Sequence, residues 1–418
     1  MTNLTVESPE KLGLSAERLA RIGTFFDERY VTPGKLPGVS ALVARRGQVA
    51  YVDAVGRRDV ANGLPMTLDT IVRVYSMTKP ITSVALMSLH EEGRFQLDDP
   101  VSRFVPAWAN LRVWEDGNPL KFRTRYPERE MTIRDLLTHT SGLTYGFMYN
   151  HPVDAIYRHR GVERPLGLMP SEGTPAQTTA ELVDKLTDIP LLFSPGTQWA
   201  YSVATDVCGR LVEIISGQPL DAFVAGRITG PLAMVDTAFH VPDDKADRLA
   251  ACYSYTKKDP LLLTDPVATS GYRTKPTYVS GGGGMVSTMS DYLRFCTMLL
   301  NKGELDGVRI LGRKTVEYMT MNHLPGGQDM DHLAERAFSE TSYEGVGFGL
   351  GFAVTLDPAT NQTVGSRGSY SWGGAASTGF WIDPAEELIV IVLTQLLPSS
   401  TYPMRRELQS LVYQALVD

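Results

Sequence analysis

The stretch between Asp69 and Gly93, TIVRVYSMTKPITSVALMSLHEEG, constrains the fold more than any other. Ile81, Val84, Ala85, Met87 and Leu89 spread over a wide sector of a helical circumference, and Gly93 marks a stop. A helix with so wide an apolar surface is mostly buried, so the rest of the chain has to cover it. The chain has the means. It has 418 residues, 43% of them hydrophobic, enough to bury a core without disulfides or metal staples. At about 150 residues per domain this length allows two or three domains. Disordered and fibrous folds are excluded.

The 40 basic and 47 acidic side chains leave a net charge of −7. Binding a phosphate backbone takes clustered Lys and Arg that displace counterions, so no nucleic-acid partner is expected. Cys208, Cys252 and Cys296 are odd in number and widely spaced. They form neither a disulfide framework nor a zinc pattern and are expected as buried thiols. The polar residues 1–14 lack a basic segment followed by an apolar run, so the expected compartment is the cytoplasm. The densest apolar run, residues 388–393, is too short for a membrane span and suits a buried strand.

Ser15 ahead of AERLARIGTFFDERY predicts an N-capped helix with Leu19, Ile22 and Phe26 on one face. Two β-rich runs flanking Arg46-Gly47 predict a hairpin. Residues 96–274 alternate loops with short helical patterns, among them MTIRDLLTHTSGL and DVCGRLVEIISG, and are expected as a mainly helical domain. The sheet is expected to resume at the glycine run 281–284 with MVSTM, followed by a helix capped by Ser290. Strands follow at GFGLGFAVTL, SYSWGGAASTGFWIDP and LIVIVLTQ, and a last helix carries Leu408, Leu411, Val412 and Leu416. The fold class is therefore α+β: an antiparallel sheet flanked by helices, built from residues 1–95 and 275–418, plus the helical insertion.

No G-x-S-x-G, H-E-x-x-H, Walker loop or strand-to-helix G-x-G-x-x-G appears. S-x-x-K does, at Ser8–Lys11, Ser76–Lys79 and Ser254–Lys257, where composition predicts about one chance match. The chemistry needs a helix, because residues i and i+3 then share a face and the amine reaches the hydroxyl as its base. Only Ser76 opens a long apolar helix, and Pro80 is tolerated in its first turn. Burial and the positive helix terminus should lower the pKa of Lys79. The alternative is that Ser76 merely caps the helix.

Tyr201 lies on the loop leading into a helix that starts near Thr205. A phenol beside a lysine can pass a proton to a leaving alcohol, though a tyrosine in this setting is by itself more often packing. Trp372-Gly373-Gly374 interrupts a strand with glycines, which an oxyanion-hole edge requires and a β-bulge would also explain.

In this order, Ser76-Met-Thr-Lys79, Leu136-Leu-Thr-His-Thr-Ser-Gly-Leu143, Tyr201-Ser-Val203, residues 281–288 and Trp372-Gly-Gly374 resemble the serine β-lactamase and penicillin-recognising superfamily. The likeness is nearest to its class C-like branch, the family VIII carboxylesterases, and runs from about residue 10 to the C-terminus. The resemblance implies the β-lactamase/transpeptidase-like fold with a cleft between the two domains. It implies Ser76 as acylated nucleophile, Lys79 as base, Tyr201 as proton shuttle, and the backbone amides of Ser76 and Ala375 as oxyanion hole. His139, in the L-L-x-H-T-S-G-L segment, is implied to be structural.

Two departures matter. Trp372-Gly-Gly stands where lactamases and peptidases of the superfamily carry Lys-Thr-Gly, and Tyr201-Ser-Val203 where they carry Tyr-x-Asn. The anchors for a carboxylate and an amide are gone, which points to esters. The expectation is a cofactor- and metal-independent esterase for small, short-chain esters, with Tyr145, Trp199, Trp372, Gly373 and Gly374 lining the pocket. Loops 145–175 and 323–345 are candidate cleft walls. A β-lactamase or D-amino-acid peptidase, an acyltransferase and a non-catalytic sensor remain as alternatives.

Overall fold

The computed structural model describes residues 4–163, 167–168, 172–334 and 343–418. The apolar run at 388–393 becomes the middle of a sheet made of β1 (Gly38–Arg45), β2 (Gln48–Asp59), β3 (Leu64–Pro65), β4 (Val346–Phe348), β5 (Ala353–Thr355), β6 (Tyr370–Gly373), β7 (Gly379–Asp383) and β8 (Leu388–Thr394). Their order is β4-β5-β6-β7-β8-β1-β2-β3, with antiparallel neighbours throughout. β1 and β8 are buried along their whole length, as expected for a central pair covered on both faces. Arg46 and Gly47 join β1 to β2 with φ of +54° and +76°, the two-residue hairpin that suits strand twist.

The helices in chain order are α1 (Ala16–Phe26), α2 (Thr78–Glu91), α3 (Ile133–Leu137), α4 (Pro152–Arg160), α5 (Thr179–Thr187), α6 (Ala204–Ser216), α7 (Leu220–Val224), α8 (Met289–Leu300), α9 (Arg313–Met319), α10 (Met330–Leu333) and α11 (Met404–Tyr413). Side-chain alternation sorts the sheet into two cores. Val39, Ala41 and Val43 of β1 and Val390 and Val392 of β8 pack with Leu19, Ile22 and Phe26 of α1 and Leu408 and Val412 of α11. Leu42, Ala44, Ile389 and Ile391 face the other way, into the core that holds α2, α6 and α8. α2 has twelve buried residues, from Thr78 to Leu89. All three cysteines are free and buried. Among the described residues no helix is long and apolar enough to cross a membrane.

Several expectations are corrected. The cap of α8 is Thr288, whose hydroxyl accepts from the amide of Asp291, and Ser290 lies inside the helix. Residues 286–287 do not join the large sheet; they pair with Val72–Arg73 in a separate two-stranded ladder. GFGLGFAVTL is two strands, β4 and β5, and SYSWGGAASTGFWIDP is likewise two, β6 and β7. Residues 96–274 hold α3 to α7 but also a hairpin of Val113–Asn118 with Lys121–Arg125. They further contain strands Cys252–Ser254 and Leu262–Asp265, the first of which pairs in parallel with Leu396–Leu397.

Candidate active site

The ladder of Val72–Arg73 with Val286–Ser287 delivers the chain to a 3-10 turn, Tyr75–Met77, from which α2 begins at Thr78. The N-cap position falls at Met77 and no side chain caps it, so Ser76 is not spent as a cap. Lys79, one turn on, is 2% exposed. Its Nζ lies 3.3 Å from Ser76 Oγ and donates to Tyr145 Oη at 2.9 Å and to the Gly282 carbonyl at 2.7 Å. Burial lowers its pKa to about 7, against the pull of Asp206, which raises it. An amine poised there can take a proton from a hydroxyl.

The glycine run reaches the lysine by threading between α2 and α6. A Cβ at Gly281 would stand 2.8 Å from the Thr205 carbonyl oxygen and 3.0 Å from Thr82 Cγ2, so a side chain there would push the two helices apart. Thr82 Oγ1 donates to the Gly281 carbonyl at 2.8 Å, fixing the register. Behind it, Asp206 Oδ1 accepts from Gly282 N at 3.1 Å, Ser280 Oγ at 2.6 Å and Tyr278 Oη at 3.0 Å. Asp206 thus holds the backbone amide of Gly282, the residue whose own carbonyl receives the lysine. Sequence reasoning missed it, although a carboxylate in the first turn of an apolar helix was a visible signal.

Tyr201 is buried, with its ring centroid 4.6 Å from Lys79 Nζ. His139 packs on it with ring centroids 5.1 Å apart. The His139 carbonyl accepts from Ala200 N, and its Nδ1 bonds Ser202 Oγ at 3.0 Å. The histidine therefore clasps both neighbours of Tyr201. Burial and the charge of Lys79 hold its pKa well below the usual range, so it stays neutral. Trp199 does not line the cavity: it lies behind Tyr201, stacked at 6.4 Å and 2% exposed. Tyr145 is on the wall, and its hydroxyl also serves Lys79. Burial, reinforced by Tyr201 and Asp206, pushes that phenol well above its ordinary value.

Trp372 lines the cavity, 5.4 Å from Tyr201 and 5.3 Å from Phe348 between ring centroids. The pairing of β6 with β7 runs without a register break through Gly373↔Gly379, which removes the β-bulge explanation for the glycines. Gly374 lies past the strand end. A Cβ there would meet the Val74 carbonyl oxygen at 2.3 Å, and one at Gly373 would meet the Arg405 guanidinium at 2.4 Å. Arg405 Nη2 donates to the carbonyls of Gly374 and Thr378 at 2.9 and 2.5 Å. The glycines thus bring the strand edge against the residues preceding Ser76, and Ala375 and Ser76 line the same cavity.

That cavity encloses about 930 Å³. Tyr145, Phe147, Glu163 and Leu168 come from the first expected wall loop and Tyr343 from the second; residues 164–166, 169–171 and 335–342 of those loops lie outside the described residues. Glu163 was not anticipated. Its Oε1 accepts from Gly146 N, its Oε2 is buried with no hydrogen-bond partner among the described residues, and burial raises its pKa to about 8. Among the described residues no group of His, Cys, Asp and Glu is placed to hold a metal ion.

A serine and a buried lysine one helical turn apart, at the mouth of an antiparallel sheet backed by helices, define a serine hydrolase of β-lactamase/transpeptidase-like architecture. The family model described as Beta-lactamase matches residues 26–414, and the chain belongs to that family. Esterase EstB from Burkholderia gladioli is 31% identical over 405 residues, covering 92% of this chain and 93% of EstB. Protein Rv1367c from Mycobacterium tuberculosis (strain ATCC 25618 / H37Rv) is 37% identical over 368 residues, 87% of each chain. The structure of EstCE1, described as a hydrolase with promiscuous acyltransferase activity, superposes with a TM-score of 0.76 at 28% identity, covering 95% of this chain and 99% of EstCE1. These likenesses put the chain in the family VIII esterase branch.

Proposed function

We propose that the protein is a serine carboxylesterase that works through an acyl-enzyme on Ser76. One observation carries the reading: the buried Lys79 amine gives two of its hydrogens to Gly282 O and Tyr145 Oη, and its remaining direction points at Ser76 Oγ. A neutral amine held this way keeps its lone pair for the serine proton. Ser76 Oγ then attacks the ester carbonyl, and the amides of Ser76 and Ala375 hold the oxyanion. Collapse breaks the ester C–O bond, and the departing alkoxide takes back the proton by way of Tyr201. Water, deprotonated by the same groups, attacks the acyl-enzyme and releases the acid.

The substrate reading rests on what is missing. Trp372 replaces a cation, and Val203 is fully buried in the core, so it offers a substrate amide nothing. Short acyl groups are proposed beside Ser76, between Tyr145, Tyr201 and Trp372; such apolar walls discriminate by about 1–3 kcal/mol per methylene. EstB is an esterase by name, which favours the same class. The test is steady-state hydrolysis of p-nitrophenyl esters of increasing chain length by wild type and Ser76→Ala, with nitrocefin in parallel. Turnover that favours short acyl groups and disappears in Ser76→Ala supports the reading; equal turnover in the variant overturns it.

Acyl transfer is the second reading. A cavity of about 930 Å³ leaves room for an alcohol beside a small acyl group, and EstCE1 is described as a promiscuous acyltransferase. Product partition toward a new ester as an alcohol is titrated in would favour it, and unchanged acid release would exclude it.

A further inference from the structure

The chain changes direction abruptly just before Ser76. The strand ends at Arg73, Val74 takes near-helical angles (φ −89°, ψ −8°), and Tyr75 stands at φ +43° as the 3-10 turn begins. A residue with a Cβ seldom occupies this left-handed region, and for an aromatic side chain it is an outlier. Such a conformation persists only where the surroundings over-determine it.

Here they do. The Tyr75 hydroxyl lies 3.8 Å from Cys252 Sγ, and its ring meets Tyr272 edge-on at 6.4 Å. Tyr272 is in turn braced by the Arg73 guanidinium, 5.4 Å from its ring centroid. Arg73 is completely buried and bonded to Asp265 at 2.6 Å, Ser270 Oγ at 2.8 Å and the Ala250 carbonyl at 2.6 Å. The backbone is pinned as well: Val74 N donates to the Met285 carbonyl at 3.1 Å and Met77 N to the Val74 carbonyl at 3.0 Å. Gly374 abuts that same Val74 carbonyl, so the strand edge carrying Ala375 is registered against this turn. Burial pushes the Tyr75 phenol well above its ordinary pKa, so it brings no charge and no proton-transfer role.

We propose that Tyr75 is a positioning residue: its ring, locked in the Cys252–Tyr272–Arg73 socket, holds a left-handed backbone that aims Ser76 Oγ at Lys79 and sets the Ser76 amide beside that of Ala375. Loosening the ring lets the backbone relax toward an ordinary φ and turns the serine away. The inference rests on Ser76 being the nucleophile, which loss of turnover in Ser76→Ala establishes independently of Tyr75.

The test compares Tyr75→Gly, Tyr75→Phe and Tyr272→Ala with wild type in ester hydrolysis and in labelling by a fluorophosphonate. Final labelling stoichiometry counts folded sites, and the labelling rate reads the aim of the serine. Tyr75→Phe keeps the ring and should stay within about threefold of wild type. Tyr75→Gly tolerates the φ but has no anchor, and Tyr272→Ala removes the anchor's support. Both rings also line the cavity, so KM can shift with them. The aim of the serine is read by kcat and by the labelling rate per folded site, each of which should fall about tenfold or more, because a displacement of about 1 Å costs up to about 100-fold. A merely structural role would lower Tm and stoichiometry while leaving both rates per site intact. That result in Tyr75→Gly, or in Tyr272→Ala if the glycine variant does not fold, overturns the proposal.

Discussion

At the scale of residues the account turns on Lys79. Its pKa of about 7 makes the amine mostly protonated below that pH and free above it. kcat/KM for an ester should therefore rise with pH through about 7 and then level, a limb that a pH–rate profile reads directly. Lys79→Ala should lose about 100- to 10,000-fold, the usual worth of a positioned base. Two tyrosines compete for the shuttle role, and variants separate them. Tyr145→Phe removes one acceptor from the lysine and should cost about 1 kcal/mol, roughly fivefold in kcat. Tyr201→Phe should cost far more if Tyr201 moves the proton; the reverse ranking would transfer the role to Tyr145. The serine–lysine pair was legible because i, i+3 spacing is local. The contribution of Tyr145 was not, since sixty-six positions separate it from Lys79 and only the fold brings them together.

At the scale of elements, local rules predicted what local forces decide. Ser15 caps α1 as read, accepting from Arg18 N, and the Arg46-Gly47 hairpin forms where turn chemistry demanded it. The cap of α8 went to Thr288 because two hydroxyl residues stood two apart and the ladder with Val72–Arg73 set which one met the helix end. Thr288→Ala should cost about 1 kcal/mol of stability, and Ser290→Ala much less, in paired denaturant titrations. At the glycine run the sequence predicts a return to the sheet. The run's purpose is close packing between α2 and α6, a tertiary requirement that single-sequence patterns do not carry. Gly281→Ala should cost about 1–3 kcal/mol and reduce kcat as well, since the Gly282 carbonyl would move off the lysine.

At the scale of the whole molecule, the sheet, the α2–α6 pair and the strand edge at Gly373 converge on one cavity, and its electrostatics couple activity to stability. Glu163 ionises at about 8 in the folded chain against an ordinary 4.5. The folded state then retains a proton the unfolded chain has released, so its stabilising contribution is complete below 4.5 and fades as pH rises toward 8. Lys79 acts in the opposite direction, but only between about 7 and 10.5. Between about 4.5 and 7 the wild type should thus lose Tm more steeply than Glu163→Gln; parallel curves would show that Glu163 does not titrate as buried. The fold class was legible from the apolar runs and the helix at α2. The cavity's size and its buried acid were not, because they arise where segments far apart in sequence meet.

The most direct test of the central claim is to quench the protein in acid during turnover of p-nitrophenyl butyrate and map the acyl group by peptide mass spectrometry. The account predicts a butyryl adduct on the peptide containing Ser76, absent from Ser76→Ala. Turnover with no adduct there, or with the adduct on another residue, would contradict it.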